Sequence, residues 1–196
     1  MYNHKLIRWM ASVVVLLAMC CVPGALHAAP VQSNESPVMW FGTATAIPGA
    51  WSTLLRTGSG VAMNLHTADL PAGTADTVWW VVFNNPQNCG PKPSGPRCGD
   101  ADLHATGVDA SILHAAGHVV GADGVGNYGA RLAVGDTSTA LFGPGLVNPF
   151  TADIHLVVRT HGAPIPGLVD DQIHSFNGGC PPNTCTNIQA SVHEAL

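Results

Sequence analysis

The chain is 196 residues long, a usual length for one domain, and only 10% of its residues are charged. Its formal net charge at pH 7 is −5, and no cluster of lysine and arginine residues interrupts this acidic balance. Such a surface repels phosphate backbones and anionic membrane surfaces, because both carry negative charge themselves. The composition therefore argues against nucleic-acid binding and against attachment to an anionic membrane.

The N-terminal segment has the parts of a secretory signal peptide. Lys5 and Arg8 supply positive charge, residues 9–22 form an apolar run, and small residues follow. The run is shorter than the about 20 residues that span a membrane. We therefore predict a cleaved signal over residues 1–28, no integral membrane span in the mature form, and export to the periplasm or the extracellular space. A retained anchor and lipidation at Cys20 are the alternatives.

The remaining chain is predicted to comprise a flexible leader over residues 29–37 and one β-sandwich domain over residues 38–196. Gly and Pro recur throughout, and β-branched and aromatic residues gather in short runs between them, which is typical of an all-β sandwich or barrel. In chain order, the predicted strands are residues 38–46, 60–66, 76–84, 110–120, 128–134, 152–160 and 187–193, with a short helical turn at residues 168–172.

A turn with the sequence LPAGTADTV, residues 70–78, leads into the third predicted strand. It resembles the turn-into-strand segment of fibronectin type III and related immunoglobulin-like domains, where a Leu-x-Pro-Gly-Thr-x-Tyr-x-Val pattern makes the tyrosine corner. In this chain Pro71 is followed by an additional Ala72, and Asp76 stands where the corner tyrosine would be. The resemblance implies a sandwich fold and brings no activity with it.

The third predicted strand contains the run TVWWVVF, residues 77–83, which is apolar on both faces. Such a strand lies centrally in a sheet, with one face on the core and the other covered by a loop or a partner. It is either a fully buried core strand or an aromatic face offered to carbohydrate or protein. In the second interpretation, the contact surface is bordered by Trp79, Trp80, Arg159 and His161.

Four cysteines lie beyond the predicted signal. Proximity pairs Cys89 with Cys98 and Cys180 with Cys185, and each pair closes a short loop rich in Pro. A four-thiolate zinc site is the rival, but such sites favour closer spacings than these pairs have. Because export favours oxidised cysteines, we predict two disulfides that pin loops.

The motif GVGNYGA, residues 124–130, matches the letters of the dinucleotide-binding fingerprint. That site needs a helix after the glycines so that the phosphates meet the helix amides. The residues that follow alternate like a strand and end at Gly135. We therefore predict a hairpin turn here and no nucleotide site.

Histidine is the commonest metal ligand, and eight histidines lie beyond residue 28. In the strand predicted at residues 152–160, His155 faces the polar side with Arg159, and His161 joins that side if the strand continues. His155 and His161 would lie about 20 Å apart on one straight strand, so a metal site has to be assembled across strands. The candidate ligands for copper or zinc are His155, His161 and His118.

Three segments carry a second resemblance: VWWVVFNNP at residues 78–86, VGDT at residues 134–137 and IHLVVRTHG at residues 154–162. They are similar, in the same order, to segments of a family of uncharacterised exported bacterial proteins. The resemblance implies a distinct single-domain family and brings no assigned activity.

The sequence contains neither Gly-x-Ser-x-Gly nor His-Glu-x-x-His, so no catalytic residue and no cofactor is predicted. The favoured hypothesis is an exported, non-enzymatic β-sandwich module for envelope or extracellular binding, with an unknown protein or glycan as its ligand. The alternative is a copper- or zinc-binding protein, or a metalloenzyme, that uses the histidines.

Overall fold

The structure is a computed structural model that describes residues 30–195. The predicted signal over residues 1–28 lies outside the described residues. The strands are β1 (Val31–Trp40), β2 (Ala46–Thr57), β3 (Gly60–Thr67), β4 (Ala75–Phe83), β5 (Ala110–Val119), β6 (Gly126–Ala133), β7 (Ala140–Phe142), β8 (Asp153–Thr160) and β9 (Thr186–His193), with the helix α1 (Val169–His174) before β9.

All nine strands belong to one antiparallel sheet in the order β6-β3-β2-β1-β9-β8-β4-β5-β7. The sheet curls into a half-barrel, so the all-β class is confirmed but the predicted sandwich of two packed sheets is not. Strand twist brings β5 and β6 together from opposite ends of this order, and the ring of His118 stacks on Tyr128 with centroids 4.5 Å apart. Alternation predicts which side chains are buried, but not whether a second sheet or the same curled sheet covers them.

The predicted flexible leader is a strand. Val31 pairs with Thr57 and Pro37 pairs with Trp51, so residues 31–37 lie along β2 as the first part of β1. The strand predicted at residues 38–46 therefore covers only the end of β1 and the turn that follows. The leader's polar residues have little β propensity of their own, and the neighbouring strand supplies the hydrogen-bonded ladder.

The other six predicted strands correspond to β3, β4, β5, β6, β8 and β9, and the predicted helical turn overlaps α1. Most of β2 and the short β7 were not predicted. A turn lies between β5 and β6, and no helix follows its glycines. The predicted hairpin is wrong, because β6 pairs with β3 and β5 pairs with β4 and β7.

The concave face of the sheet encloses the main core, to which β4 contributes Val78, Trp80 and Val82. On the convex face, Val81 and Phe83 belong to a second apolar cluster under residues 84–109. Every residue of β4 is buried, so the prediction of a central strand with its second face covered by a loop is confirmed.

Two irregular segments cover the convex face, and each contains a predicted disulfide. The first cover, residues 84–109, contains Cys89–Cys98, with Cα atoms 5.4 Å apart. The second cover, residues 162–185, contains α1 and Cys180–Cys185, with Cα atoms 6.0 Å apart. The predicted pairing is confirmed, and the four cysteines form no common zinc site. Among residues 30–195, no helix has the length and apolar character needed to cross a bilayer.

Candidate functional site

Strand β8 and the residue that follows it supply the two histidines that contact the covers. Ile154, Leu156 and Val158 point into the concave core, as the alternation predicts. His155 therefore points to the convex side, where it lies against Phe83 of the first cover's apolar cluster. His161 follows the end of β8 and contacts the second cover. The two rings are six residues apart in the chain but lie in different surroundings.

A groove of about 450 Å³ lies between the β1–β2 turn and the first cover. Its apolar walls include Trp40 and Phe41 on one side and Pro96 on the other. Val192 of β9 and His155 of β8 also line it. This volume lies within the about 300–1,000 Å³ that small-molecule sites usually have.

His155 is a polar residue of the groove lining that is buried and lacks a hydrogen-bond partner at one ring nitrogen. Its side chain is only 8% exposed, and its Nε2 atom has no hydrogen-bond partner. The edge contact with Phe83, 5.1 Å between centroids, fixes the ring without supplying a polar partner. Burial lowers the pKa of His155 to about 4, so the ring is neutral at pH 7. A neutral imidazole can donate one hydrogen bond and accept another, and leaving a buried ring nitrogen unpaired costs about 1–3 kcal/mol.

Ionic contacts hold the wall of the groove in place. Arg97 donates from Nε and from a terminal nitrogen to the two carboxylate oxygens of Asp153, at 2.9 and 2.8 Å. Within the first cover, Lys92 contacts Asp102, whose carboxylate also accepts the backbone N–H groups of Gly90 and Gly99. The Arg97 contact ties the disulfide loop to the start of β8, and the contacts of Asp102 hold the loop itself together.

His161, unlike His155, has hydrogen-bond partners for both ring nitrogens. Its Nε2 lies 2.9 Å from the Thr77 hydroxyl, and its Nδ1 lies 3.0 Å from the Gly178 carbonyl oxygen. The indole N–H of Trp79 donates to the same hydroxyl at 2.7 Å. The ring is fully buried, and this burial lowers the pKa of His161. His161 therefore fastens the second cover to the sheet.

The contact surface predicted from Trp79, Trp80, Arg159 and His161 is not exposed. Trp79 is 2% exposed and Trp80 is 1% exposed. Arg159 is half-buried, with its guanidinium 4.0 Å from the centroid of the Phe176 ring. Its Nε donates to the Phe176 carbonyl oxygen. Trp80 points into the concave core, and the second cover occupies the convex face over Trp79, Arg159 and His161.

The three histidines predicted as metal ligands are also not brought together. His118 lies on β5 against Tyr128, His155 lies under the first cover, and His161 lies under the second. In residues 30–195, the one group of three or more metal-ligating side chains is His161 with Cys180 and Cys185. Sequence reasoning placed these cysteines in a disulfide and did not connect them with His161.

A serine–histidine pair that the sequence did not reveal lies within the curled sheet. The Ser52 hydroxyl is 2.7 Å from His193 Nε2 and 2.6 Å from the Ser191 hydroxyl. Burial lowers the pKa of His193 to about 4, and all three side chains are fully buried. The spacing matches a nucleophile and its base, but a substrate has no access to it. More than 130 residues separate Ser52 from its partners, so no local sequence motif predicts the pair.

Comparison with family models, with curated proteins and with solved structures finds no match to this chain.

Proposed function

We propose that this protein is an exported, non-enzymatic binding module whose ligand site is the groove over His155. The ligand class is a small, uncharged, planar molecule with an apolar ring and one hydrogen-bonding group. The observation that carries the proposal is a buried, neutral imidazole that lines an apolar groove and whose Nε2 has no hydrogen-bond partner. Because Nε2 is itself buried, the ring has to turn for this atom to meet a ligand. Export is supported by the two disulfides, which persist in oxidising compartments.

The ligand chemistry follows from the groove lining. Trp40 and Phe41 offer aromatic faces and edges on which a flat ring can pack. His155 is neutral at pH 7 and so provides a hydrogen bond without an ionic attraction. Asp100 is an exposed residue of the lining, and its carboxylate disfavours an anionic ligand. These features together favour an uncharged aromatic molecule over a phosphate or a carboxylate.

A matched pair of probes tests the proposal. Phenol and toluene share a ring and differ in the hydroxyl group that would meet His155. We expect phenol to bind about threefold to tenfold more tightly in ligand-observed NMR titrations, the net contribution of one hydrogen bond. His155→Phe should abolish this preference while toluene binding persists. His66→Phe, on β3 and outside the groove, should change neither affinity.

Two results would overturn the assignment. One is a phenol preference that survives His155→Phe, and the other is the absence of phenol binding to the wild-type chain. If His155→Phe does not fold, the ring ¹⁵N chemical shifts of His155 are measured in the wild-type protein with and without phenol. A hydrogen bond from phenol must change these shifts, so unchanged shifts would also overturn the assignment.

A further inference from the structure

The second cover brings three metal-ligating atoms together. His161 Nδ1 lies 3.4 Å from the Cys185 sulfur and 3.9 Å from the Cys180 sulfur. His161 is fixed by the sheet, whereas both cysteines belong to a short loop that is half-buried. The three side chains form the group that meets the spacing of a metal site.

These separations match those around a tetrahedral metal. Zinc binds sulfur at about 2.3 Å and imidazole nitrogen at about 2.0 Å, which places the two ligand atoms about 3.5 Å apart at a tetrahedral angle. The two nitrogen–sulfur distances lie on either side of this value. His161 therefore needs little displacement to share a metal with the two sulfurs. The sulfurs themselves have to move apart after reduction, because two thiolates on a tetrahedral zinc lie about 3.8 Å from each other.

The hydrogen bonds of His161 allow the tautomer that a metal requires. At present Nδ1 donates to the Gly178 carbonyl oxygen, and Nε2 accepts from the Thr77 hydroxyl. When Nδ1 binds a metal, Nε2 carries the proton and donates to Thr77, whose hydroxyl turns to the Arg159 carbonyl oxygen 3.5 Å away. Metal-ligating histidines usually donate their second N–H in this way, which orients the ring.

We propose that reduction of the Cys180–Cys185 disulfide creates a Cys₂His site, completed by His161, for a thiolate-preferring cation, zinc or monovalent copper. A dithiol reductant supplies the two electrons: its own sulfurs form a disulfide while the Cys180–Cys185 bond breaks, and the two protons pass to the new thiols. Metal binding then releases both protons to solvent as the thiolates coordinate. Soft sulfur ligands select these two cations over magnesium or calcium.

The other disulfide provides an internal control. Cys98 is fully buried in the second apolar cluster, and its sulfur lies 3.7 Å from the Pro86 carbonyl oxygen. No histidine groups with Cys89 and Cys98 among the residues that the structure describes. Reduction of this pair should yield two thiols without a third ligand.

The experiment compares the oxidised and the reduced mature chain, from which the predicted signal with its Cys20 and Cys21 has been removed. After treatment with a phosphine reductant under nitrogen, the chain is titrated with Zn²⁺ and, in a separate arm, with Cu⁺. Bound metal is measured by elemental analysis after gel filtration. We expect one equivalent of at least one cation after reduction and none before it. The two arms decide which cation the site prefers.

Variants and alkylation locate the site. Cys180→Ser with Cys185→Ser should abolish metal binding, whereas Cys89→Ser with Cys98→Ser should retain it. His161→Gln should weaken binding at least tenfold. If a variant does not fold, alkylation rates of the reduced wild-type chain decide: bound metal should slow the alkylation of Cys180 and Cys185 and leave that of the half-buried Cys89 unchanged. A reduced chain that binds neither cation, or a metal-dependent slowing at Cys89, would overturn the proposal.

Discussion

His155 and His161 lie six positions apart on or next to β8, and each is covered by a loop that a disulfide closes. The second cover pairs both nitrogens of His161 with protein groups. The first cover leaves a groove that His155 lines, and the buried Nε2 of His155 has no hydrogen-bond partner. One histidine thus fastens its cover through two complete hydrogen bonds, whereas the other leaves a polar atom unsatisfied beside a groove.

The largest expected effect is a fall in the free energy of unfolding at acid pH, because the buried histidines stay uncharged in the folded chain. Burial lowers the pKa of His155 and of His193 to about 4, against 6.5 in an unfolded chain. Above pH 6.5 both states are neutral, so stability is constant. Between pH 6.5 and pH 4 the unfolded chain takes up protons that the folded chain does not. We expect the free energy of unfolding to fall by about 3 kcal/mol for each histidine.

Urea unfolding at half-unit pH steps measures this dependence. His155→Phe should remove the contribution of His155 and leave those of the other buried histidines, so the fall in stability should be about 3 kcal/mol smaller. A fall of the same size in the variant would contradict the assignment of His155 as a buried neutral ring.

The fastening role of His161 is tested at its shared partner. Thr77→Val keeps the shape of the side chain and removes the hydroxyl that meets His161 Nε2 and Trp79 Nε1. Because two buried polar atoms then lose a partner, we expect a loss of about 2 kcal/mol in urea unfolding. Thr186→Val, at the exposed start of β9, should leave stability unchanged. Equal effects of the two substitutions would show that His161 does not hold the second cover.

The wall of the groove is tested at Arg97. Arg97→Ala removes the paired hydrogen bonds to Asp153, and because the Arg97 side chain is 41% exposed we expect a loss of only about 1 kcal/mol. Phenol affinity should fall more clearly, since Pro96 next to it forms part of the wall. Arg131→Ala, at an exposed position of β6, is the matched control. If Arg97→Ala binds phenol as tightly as the wild-type chain, the contact between Arg97 and Asp153 is not required to hold the wall of the groove.

Part of the site was within reach of sequence reasoning. The alternation along β8 correctly assigned His155 to the face opposite Ile154, Leu156 and Val158. The apolar run of β4 correctly implied a covered second face. The same run also suggested an exposed aromatic surface with Trp79, and this was wrong because the second cover occupies that face. Alternation identifies a face and carries no information on what packs against it.

The sequence by itself determined the all-β class and both disulfides, because strand periodicity and the closure of short loops are local properties. Only the tertiary structure decided that residues 31–37 pair with β2, that one sheet curls into a half-barrel, and that His161 meets Cys180 and Cys185. It also decided that a groove opens over His155. These features depend on strand register, sheet curvature and the path of two covers, all of which arise from contacts between residues far apart in the chain.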